Sequence, residues 1–393
     1  MSTLKVDAIR HNSATSDAIT TAADGTCTAK LTSVGGGQLS HRNLIINGAM
    51  NVAQRGTSST STGYQTVDRF QFLTNTVDEA PTQAQVDVAS GTTPYTLGFR
   101  KALKITNGNQ TSVGAADAIY VRYRPEAQDI ASSGWNYTSA SSFVTLSFWC
   151  KSSVAQNFFG VIETSDGTQK MFPFQTGSLS ADTWTKVTIK IPGHADLAFN
   201  LDNGQGLGIN WVQFMGTDYT ANSAVVNTWK AQSDTERMPD NTSTWYTTND
   251  ATFELTGVQF EVGDTATTFE HRSYDEELKR CKRYALVIGS NQAIGTGSAY
   301  NSTNININIY NQFRATPTYS KTTGGNGYTW VVYVGASGVA TASPTVSVAS
   351  DSKPNYCLRL YVQNCHNSLT AGQAVWALTH DGGGEQIVFS AEL

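Results

Sequence analysis

The sequence predicts an all-β protein with an N-terminal extended arm, a central β-sandwich, a short linking α-helix and a smaller C-terminal β-sandwich. Charged residues are only 15% of the 393 residues, and the abundance of glycine and aromatic residues is typical of strands joined by turns. Strand-like runs separated by turn-forming residues recur along the chain from residue 43. At about 150 residues per domain, the length allows two or three domains with separate cores.

The first element is an arm over residues 1–42. Its apolar residues alternate weakly, and the following segment is small and polar up to the triplet Gly35-Gly36-Gly37. Because glycine places little restriction on the backbone, we expect a hinge there. The arm is interpreted as the part that attaches the protein to a larger assembly.

The second element is a sandwich over residues 43–272 with about nine strand-like runs. In the segment SFVTLSFWC, the side chains of Val144, Leu146, Phe148 and Cys150 share the more apolar face. This pattern predicts a strand that is covered on one side. The strand-like runs are NLIIN, VDRFQFL, ALKIT, AIYVRYR, FVTLSFWCKSS, FFGVIET, TWTKVTIKI, LGINWVQFM and TFELTGVQFEV.

The third element is a linking helix over residues 273–287. Ser273 and Glu276 have the spacing of a capping box, and acidic residues in the first turn precede basic residues, as the helix dipole favours. One face of this helix is predicted to contain Tyr274, Leu278, Cys281 and Ala285.

The fourth element is a distal sandwich over residues 288–393 with about seven short strands. The run from Asn304 to Ile309 alternates strictly between asparagine and isoleucine. We therefore expect the isoleucines to point into the core and the asparagines to point outward.

Composition also disfavours several classes of function. The net charge is -5 and no long run of Lys or Arg is present, so nucleic acid is not an expected partner. The sequence has neither an apolar signal core nor an apolar stretch of about 18 residues, so we expect no signal peptide, no membrane insertion and synthesis in the cytoplasm. The five cysteines form no CxxC pair and are interpreted as reduced thiols.

No motif for catalysis is apparent. The histidines are dispersed, and no GxSxG elbow supplies a nucleophile, so the protein is expected not to be an enzyme. A pair of glycosidase carboxylates could still meet in space from distant positions, and the sequence does not choose among the candidates.

The segment NLIINGAMNVAQRG (43–56), followed by YQTVDRF (64–70), resembles the opening of tail-fibre proteins of marine and other tailed bacteriophages. Later segments keep the order of that family, so the resemblance covers roughly residues 42–286. These segments are LSFWCKSS, ADTWTKVTIKIPG, GLGINWVQFMGTDYTANSAVVNTWK and GVQFEVGDTATTFEHRSYDEELKRCKRY.

The resemblance implies a jelly roll like those of carbohydrate-binding modules at 43–272, in a receptor-binding tail fibre of the virion that attaches to host-surface glycans. It further implies a homotrimer whose arm at 1–42 contacts other tail proteins, such as an adaptor or nozzle, and whose distal domain is the receptor-binding tip. A head-decoration or adaptor protein of the virion remains an alternative. A polysaccharide depolymerase is a third hypothesis.

The distal domain contains the candidate glycan site. Sugar binding uses aromatic faces together with amide groups, and the candidates are Tyr328, Trp330, Asn304, Asn306, Asn308 and Tyr356. Strand alternation places Trp330 and Tyr333 on opposite faces, so one of the two is expected in the core, and each aromatic residue also has a core or interface interpretation.

Asn47 and Glu254 are candidate ligands of a structural Ca²⁺, because oxygen donors near the first and last strands could meet. The alternative is that Asn47-Gly48 is simply a turn. No other cofactor is expected. Nearby, Arg55 is predicted to form a buried ion pair with the Asp68-Arg69 segment.

Overall fold

The computed structural model describes the all-β architecture in most of the chain. The described residues are 6–10, 12, 19–23, 27–29, 41–322, 327–335, 337–341, 344–349, 356–381 and 384–393. Within these ranges the regular structure is nearly all strand, which confirms the predicted fold class. The helices are short, and in the described ranges none is long and apolar enough to span a bilayer. They are α1 (Thr93–Thr96), α2 (Ala127–Ala131), α3 (Thr244–Thr247) and α4 (Tyr274–Lys282).

Among the described residues between 6 and 29, three short strands of the predicted arm form a small antiparallel sheet. Strands β1 (Ala8–Ile9), β2 (Ile19–Thr21) and β3 (Cys27–Ala29) pair in that order. This pairing satisfies backbone N–H and C=O groups of the three strands. The predicted glycine hinge lies outside the described residues.

The first sandwich consists of two six-stranded antiparallel sheets. Its strands are β4 (Ser58–Ser59), β5 (Phe70–Asn75), β6 (Thr82–Asp87), β7 (Lys101–Thr106), β8 (Ala118–Tyr123), β9 (Phe143–Ser152), β10 (Asn157–Thr164), β11 (Lys170–Ser178), β12 (Thr185–Pro192), β13 (Leu207–Met215), β14 (Lys230–Ala231) and β15 (Thr252–Val262). One sheet has the order β12-β9-β15-β7-β6-β4 and the other β14-β11-β10-β13-β8-β5. The chain crosses repeatedly between the two sheets, as in the predicted jelly roll.

The core of this sandwich lies between the two sheets. Val144, Leu146, Phe148 and Cys150 on β9 are all buried there, as their alternation predicted. The ring of Phe148 meets Trp211 of the opposite sheet edge-on at 5.9 Å. Aromatic pairs of this kind fill the space between the sheets.

The distal sandwich has a three-stranded and a seven-stranded sheet in the described residues. Its strands are β16 (Ala285–Ile288), β17 (Ala293–Ala299), β18 (Ile305–Ile309), β19 (Thr318–Thr322), β20 (Trp330–Val334), β21 (Ser337–Thr341), β22 (Thr345–Val348), β23 (Leu358–Gln363), β24 (Ala374–Thr379) and β25 (Gln386–Ser390). The sheet orders are β16-β25-β19 and β21-β20-β24-β17-β18-β23-β22. Ile305, Ile307 and Ile309 point into the shared core, as predicted.

The linking helix begins where the sequence predicted but ends earlier. The Ser273 hydroxyl accepts a hydrogen bond from the Glu276 backbone N–H at 3.2 Å. The helix ends at Lys282, and residues 285–288 form β16, which pairs with β25. The prediction of helix up to residue 287 was therefore wrong, because the ALVI segment has strong β propensity and an available edge to pair with.

The predicted apolar face of the helix is also partly wrong. Tyr274 is 56% exposed, while Cys281 and the carboxylate-bearing Glu277 are buried. One carboxylate oxygen of Glu277 accepts the backbone N–H of Asn47 at 2.7 Å and lies 3.5 Å from Arg272. The helix therefore docks on the first sandwich through a charged contact as well as an apolar one.

A buried group of side chains, which we call the clasp, joins the two sandwiches: Arg55, Arg69, Tyr284 and Glu392. Arg69 is fully buried and forms an ion pair with Glu392, and its guanidinium lies 3.4 Å from the centre of the Tyr284 ring. Arg55 also forms an ion pair with Glu392, at 3.4 Å. The predicted ion pair between Arg55 and Asp68 is present as well, but its distance of 4.0 Å is long for such a contact.

Glu126 forms a second polar contact across the same junction. Its two carboxylate oxygens accept hydrogen bonds from the Arg283 guanidinium, both at 2.9 Å, and one also accepts the Tyr284 hydroxyl at 2.6 Å. Burial acts to raise the pKa of Glu126, but these hydrogen bonds outweigh it, so the pKa lies below its ordinary value of 4.5. The ionised form of Glu126 is thus stabilised by folding.

The junction is expected to lose stability in acid. Because folding lowers the pKa of Glu126, its contribution is present above the unfolded value of about 4.5 and is lost as the pH falls through the folded value. The melting temperature of the Glu126→Gln variant should therefore decrease less than that of wild type when the pH is lowered from about 6 to about 3. Thermal unfolding followed by circular dichroism measures this. An equally steep fall in both proteins would contradict it.

Candidate functional site

The outer face of the seven-stranded sheet is the candidate site. Strand alternation turns Trp330 and Val332 of β20, and Val375 and Ala377 of β24, into the core. The intervening side chains therefore point away from the core, onto a face that is at least partly accessible. This face is broad because five or more strands contribute to it.

One row of residues crosses this face from strand to strand. Tyr333 is paired with Trp376, Trp376 with Thr296, Thr296 with Asn308, and Asn308 with Arg359. Directly opposed residues in antiparallel strands lie on the same side of the sheet. The row therefore begins with two aromatic rings and continues on successive strands with a hydroxyl, an amide and a guanidinium group; we call it the aromatic row.

The two aromatic residues of the row form a flat platform. The rings of Tyr333 and Trp376 stack with centroids 4.4 Å apart and planes 20° apart, and Trp376 is 39% exposed. On the neighbouring strand, a Cβ at Gly338 would lie 2.6 Å from the Tyr333 ring, so glycine leaves the space that this ring occupies. Such a platform can stack against the C–H groups of a sugar ring.

A second, more polar row runs parallel to the first. It contains Ala374, Ser298, Asn306, Tyr361 and Ser347, each paired with the next across neighbouring strands. Close to its end, the Tyr300 ring is 61% exposed and meets the Tyr361 ring edge-on at 5.4 Å. The face therefore combines aromatic surface with hydrogen-bonding groups.

Of the predicted asparagines, Asn306 and Asn308 lie on this face, half-buried between neighbouring side chains. Asn304 does not, because only 8% of it is exposed. Its amide donates to the Tyr361 hydroxyl at 2.9 Å and its carbonyl oxygen accepts the Asn364 N–H at 3.0 Å. The glycan-contact assignment of Asn304 was therefore wrong, because the side chain holds a turn together.

Trp330 was also assigned wrongly as a glycan contact. Its side chain is completely buried, and the indole N–H donates to the Tyr319 hydroxyl at 2.9 Å. Burial raises the pKa of Tyr319 to about 12, so that hydroxyl stays protonated. The strand alternation predicted that either Trp330 or Tyr333 lies in the core. The structure shows that Trp330 is the core residue.

The other two predicted tyrosines lie apart from the aromatic row. Tyr328 precedes β20, is 39% exposed and has its ring 5.4 Å from the ring of His380. Tyr356 is 71% exposed and lies beside α4. The structure therefore does not gather Tyr328, Trp330 and Tyr356 into one site.

Trp376 was not among the glycan-contact residues predicted from the sequence. The segment AVWALT alternates, with Val375 and Ala377 buried on either side of the tryptophan. A large aromatic residue between two small core residues on an alternating strand is the signal that could have identified it. Its stacking partner Tyr333 is distant in sequence and could not be read from the pattern.

The proposed Ca²⁺ ligands have other partners. The Asn47 amide donates to the carbonyls of Val52 and Asp68, at 2.8 and 3.0 Å, and its oxygen accepts the Val52 N–H at 2.9 Å. Glu254 pairs with Lys151 at 2.9 Å. Asn47 thus stabilises the turn that was its alternative interpretation. Within the ranges that the structure describes, no group of three His, Cys, Asp or Glu residues could hold a metal ion.

Comparison with known proteins gives distant structural matches only. No family model and no curated protein matches the chain.

Three of the structural matches illustrate how distant the similarity is. A proposed sugar-binding protein from Bacteroides thetaiotaomicron is 12% identical, with 56% of this chain and 99% of that chain covered and a TM-score of 0.31. The enzymatically active domain of bacteriophage CBA120 tailspike protein 4 is 9% identical, with coverages of 56% and 21% and a TM-score of 0.28. The CBM22-1–CBM22-2 tandem domain of Paenibacillus barcinonensis Xyn10C is 8% identical, with coverages of 92% and 100% and a TM-score of 0.27. Scores this low establish neither a shared fold nor a shared ligand.

Proposed function

We propose that this protein is a non-enzymatic virion appendage that attaches to glycans of a host surface through the outer face of its distal seven-stranded sheet. The observation that carries the glycan-binding part is the stacked pair of Tyr333 and Trp376 at one end of the aromatic row. An accessible aromatic platform followed along the same row by a hydroxyl and an amide group has the composition that sugar recognition requires.

In this proposal the sugar ring stacks on Trp376, which Tyr333 supports from one side. Thr296 and Asn308 follow Trp376 along the row and offer a hydroxyl and an amide to sugar hydroxyls. Arg359, at the far end of the row, is exposed. Such shallow sites bind weakly, and several copies on one particle would raise the overall affinity.

The position on the virion, the homotrimer and the contact of residues 1–42 with other tail proteins are parts of the same proposal. They are supported by the resemblance of residues 43–56 to the opening of tail-fibre proteins. Electron microscopy of particles labelled at the arm tests the position and distinguishes a tail fibre from a head decoration. Sedimentation equilibrium tests the trimer, and a stable monomer at micromolar concentration would contradict it.

Trp376→Ala is expected to weaken glycan binding by about 10-fold or more, which corresponds to about 1.4 kcal/mol of lost stacking. The measurement is a glycan array with wild-type protein, followed by titration of the best uncharged ligand into both proteins. Trp376→Phe should retain part of the affinity because it keeps an aromatic face.

Tyr274→Ala is the matched control, since Tyr274 is an exposed aromatic residue on α4, outside the sheet. It should bind the array ligand as wild type does. Unchanged affinity in Trp376→Ala, or equal losses in both variants, would rule out this face as the binding site.

A further inference from the structure

A wide groove separates α4 from the distal sandwich, away from the aromatic row. Its volume is about 930 Å³, and its walls come from the helix on one side and from residues around Tyr310 and Tyr356 on the other. A hydrogen bond from the Asn311 amide of the distal wall to the Lys282 carbonyl of the helical wall, at 2.8 Å, connects the two walls. This groove is a separate surface from the site described above.

The distal wall carries two strongly exposed aromatic side chains. Tyr310 is 74% exposed and Tyr356 is 71% exposed, in a chain where most large aromatic residues are buried. Both line the groove, together with the exposed side chain of Gln312. Two accessible rings and an amide are again groups that contact a sugar.

The helical wall differs from the aromatic row in its charge. Arg280 is paired with Glu276 at 2.9 Å, and Arg283 is paired with Glu126 at 2.9 Å, so these two cations are largely neutralised. Lys279 and Lys282 also line the groove, and neither has an ion-pair partner among the residues that the structure describes.

The remaining carboxylate of the lining is Asp275, in the first turn of α4. Two lysines against one carboxylate leave the unpaired charge of the groove positive. In a protein of net charge -5, this is a local reversal of sign. A ligand that carries a negative charge is therefore favoured here.

We propose that this groove binds an acidic saccharide, with a sugar ring against Tyr310 or Tyr356 and a carboxylate or sulfate group near Lys279 and Lys282. The choice of a saccharide rests on the proposed function, whereas the requirement for negative charge rests on the lysines alone. Carboxylate and sulfate present the same charge to an ammonium group, so the experiment includes one ligand of each kind.

The test titrates the full chain with three oligosaccharides of similar length: oligogalacturonate, whose charges are all carboxylates, a κ-carrageenan oligosaccharide, whose charges are all sulfates, and a neutral cello-oligosaccharide. Wild type should bind at least one acidic ligand saturably, more weakly as salt increases. The double variant Lys279→Gln with Lys282→Gln should lose about 10-fold in that affinity. Trp376→Ala should leave the affinity for the acidic ligand unchanged.

A double variant Lys104→Gln with Lys186→Gln is the matched control, because it removes the same charge from the first sandwich. Near-ultraviolet circular dichroism checks that each variant is folded. Equal losses in both double variants would show attraction by overall charge and overturn the proposal. So would a failure of both acidic ligands to bind wild type, even if a neutral glycan still binds through Trp376.

Discussion

Replacing Arg69 by alanine is expected to lower the free energy of unfolding by about 3 kcal/mol or more, because it breaks a buried ion pair, although Arg55 still pairs with Glu392. Arg69 is fully buried and pairs with Glu392. Its guanidinium also donates to the Arg124 carbonyl at 2.6 Å and stacks on the Tyr284 ring at 3.4 Å. The substitution therefore removes an ion pair, a hydrogen bond and a cation–π contact together.

Urea denaturation followed by tryptophan fluorescence measures this loss. Lys101→Ala is the control, because Lys101 pairs with Asp87 on the surface, where Asp87 is 82% exposed. Surface pairs of this kind contribute about 1 kcal/mol or less. If Arg69→Ala costs no more than Lys101→Ala, the clasp does not stabilise the fold.

Trp330→Ala is expected to destabilise the distal sandwich by about 3 to 5 kcal/mol, as large-to-small substitutions of buried tryptophan do. The indole fills the space between the two distal sheets and donates its N–H to Tyr319 at 2.9 Å. Removal would leave a cavity and a buried hydroxyl without this partner.

The comparison variant is Trp376→Ala on the neighbouring strand, where the ring lies on the outer face. It should change stability by about 1 kcal/mol or less, while it weakens glycan binding. Chemical denaturation of both variants separates the two roles. The opposite pattern, in which Trp330→Ala stays stable and loses binding, would mean that the faces of β20 are reversed.

Features that depend on neighbouring residues were predictable from the sequence. The alternation of β9 and of Ile305, Ile307 and Ile309 gave the correct buried faces, because the two-residue period of a strand is local. The start of α4 was predictable for the same reason, since the Ser273 cap acts within one turn. Such signals need no knowledge of the tertiary structure.

Features that depend on distant partners were not predictable. The pattern of β20 allowed either Trp330 or Tyr333 in the core, and the choice depends on which side β25 and β19 cover. Similarly, the backbone N–H of Asn47 donates to the carboxylate of Glu277, which is 230 positions away in the sequence. No local sequence pattern indicates this hydrogen bond. The early end of α4 depends on the free edge of β25, which is formed by residues about 100 positions later.

The junction between the sandwiches has a mechanical consequence. The backbone passes from one to the other after α4, and residues 391–393 return to the first sandwich, where the Leu393 carbonyl accepts hydrogen bonds from Tyr64 and Arg124 at 2.8 and 2.6 Å. Tension applied between the two bodies is therefore shared by two separated connections in parallel. A single tether would let the distal body swivel, whereas two resist torsion. We therefore expect the contacts of residues 391–393 to restrict rotation of the distal sandwich about the segment that follows α4.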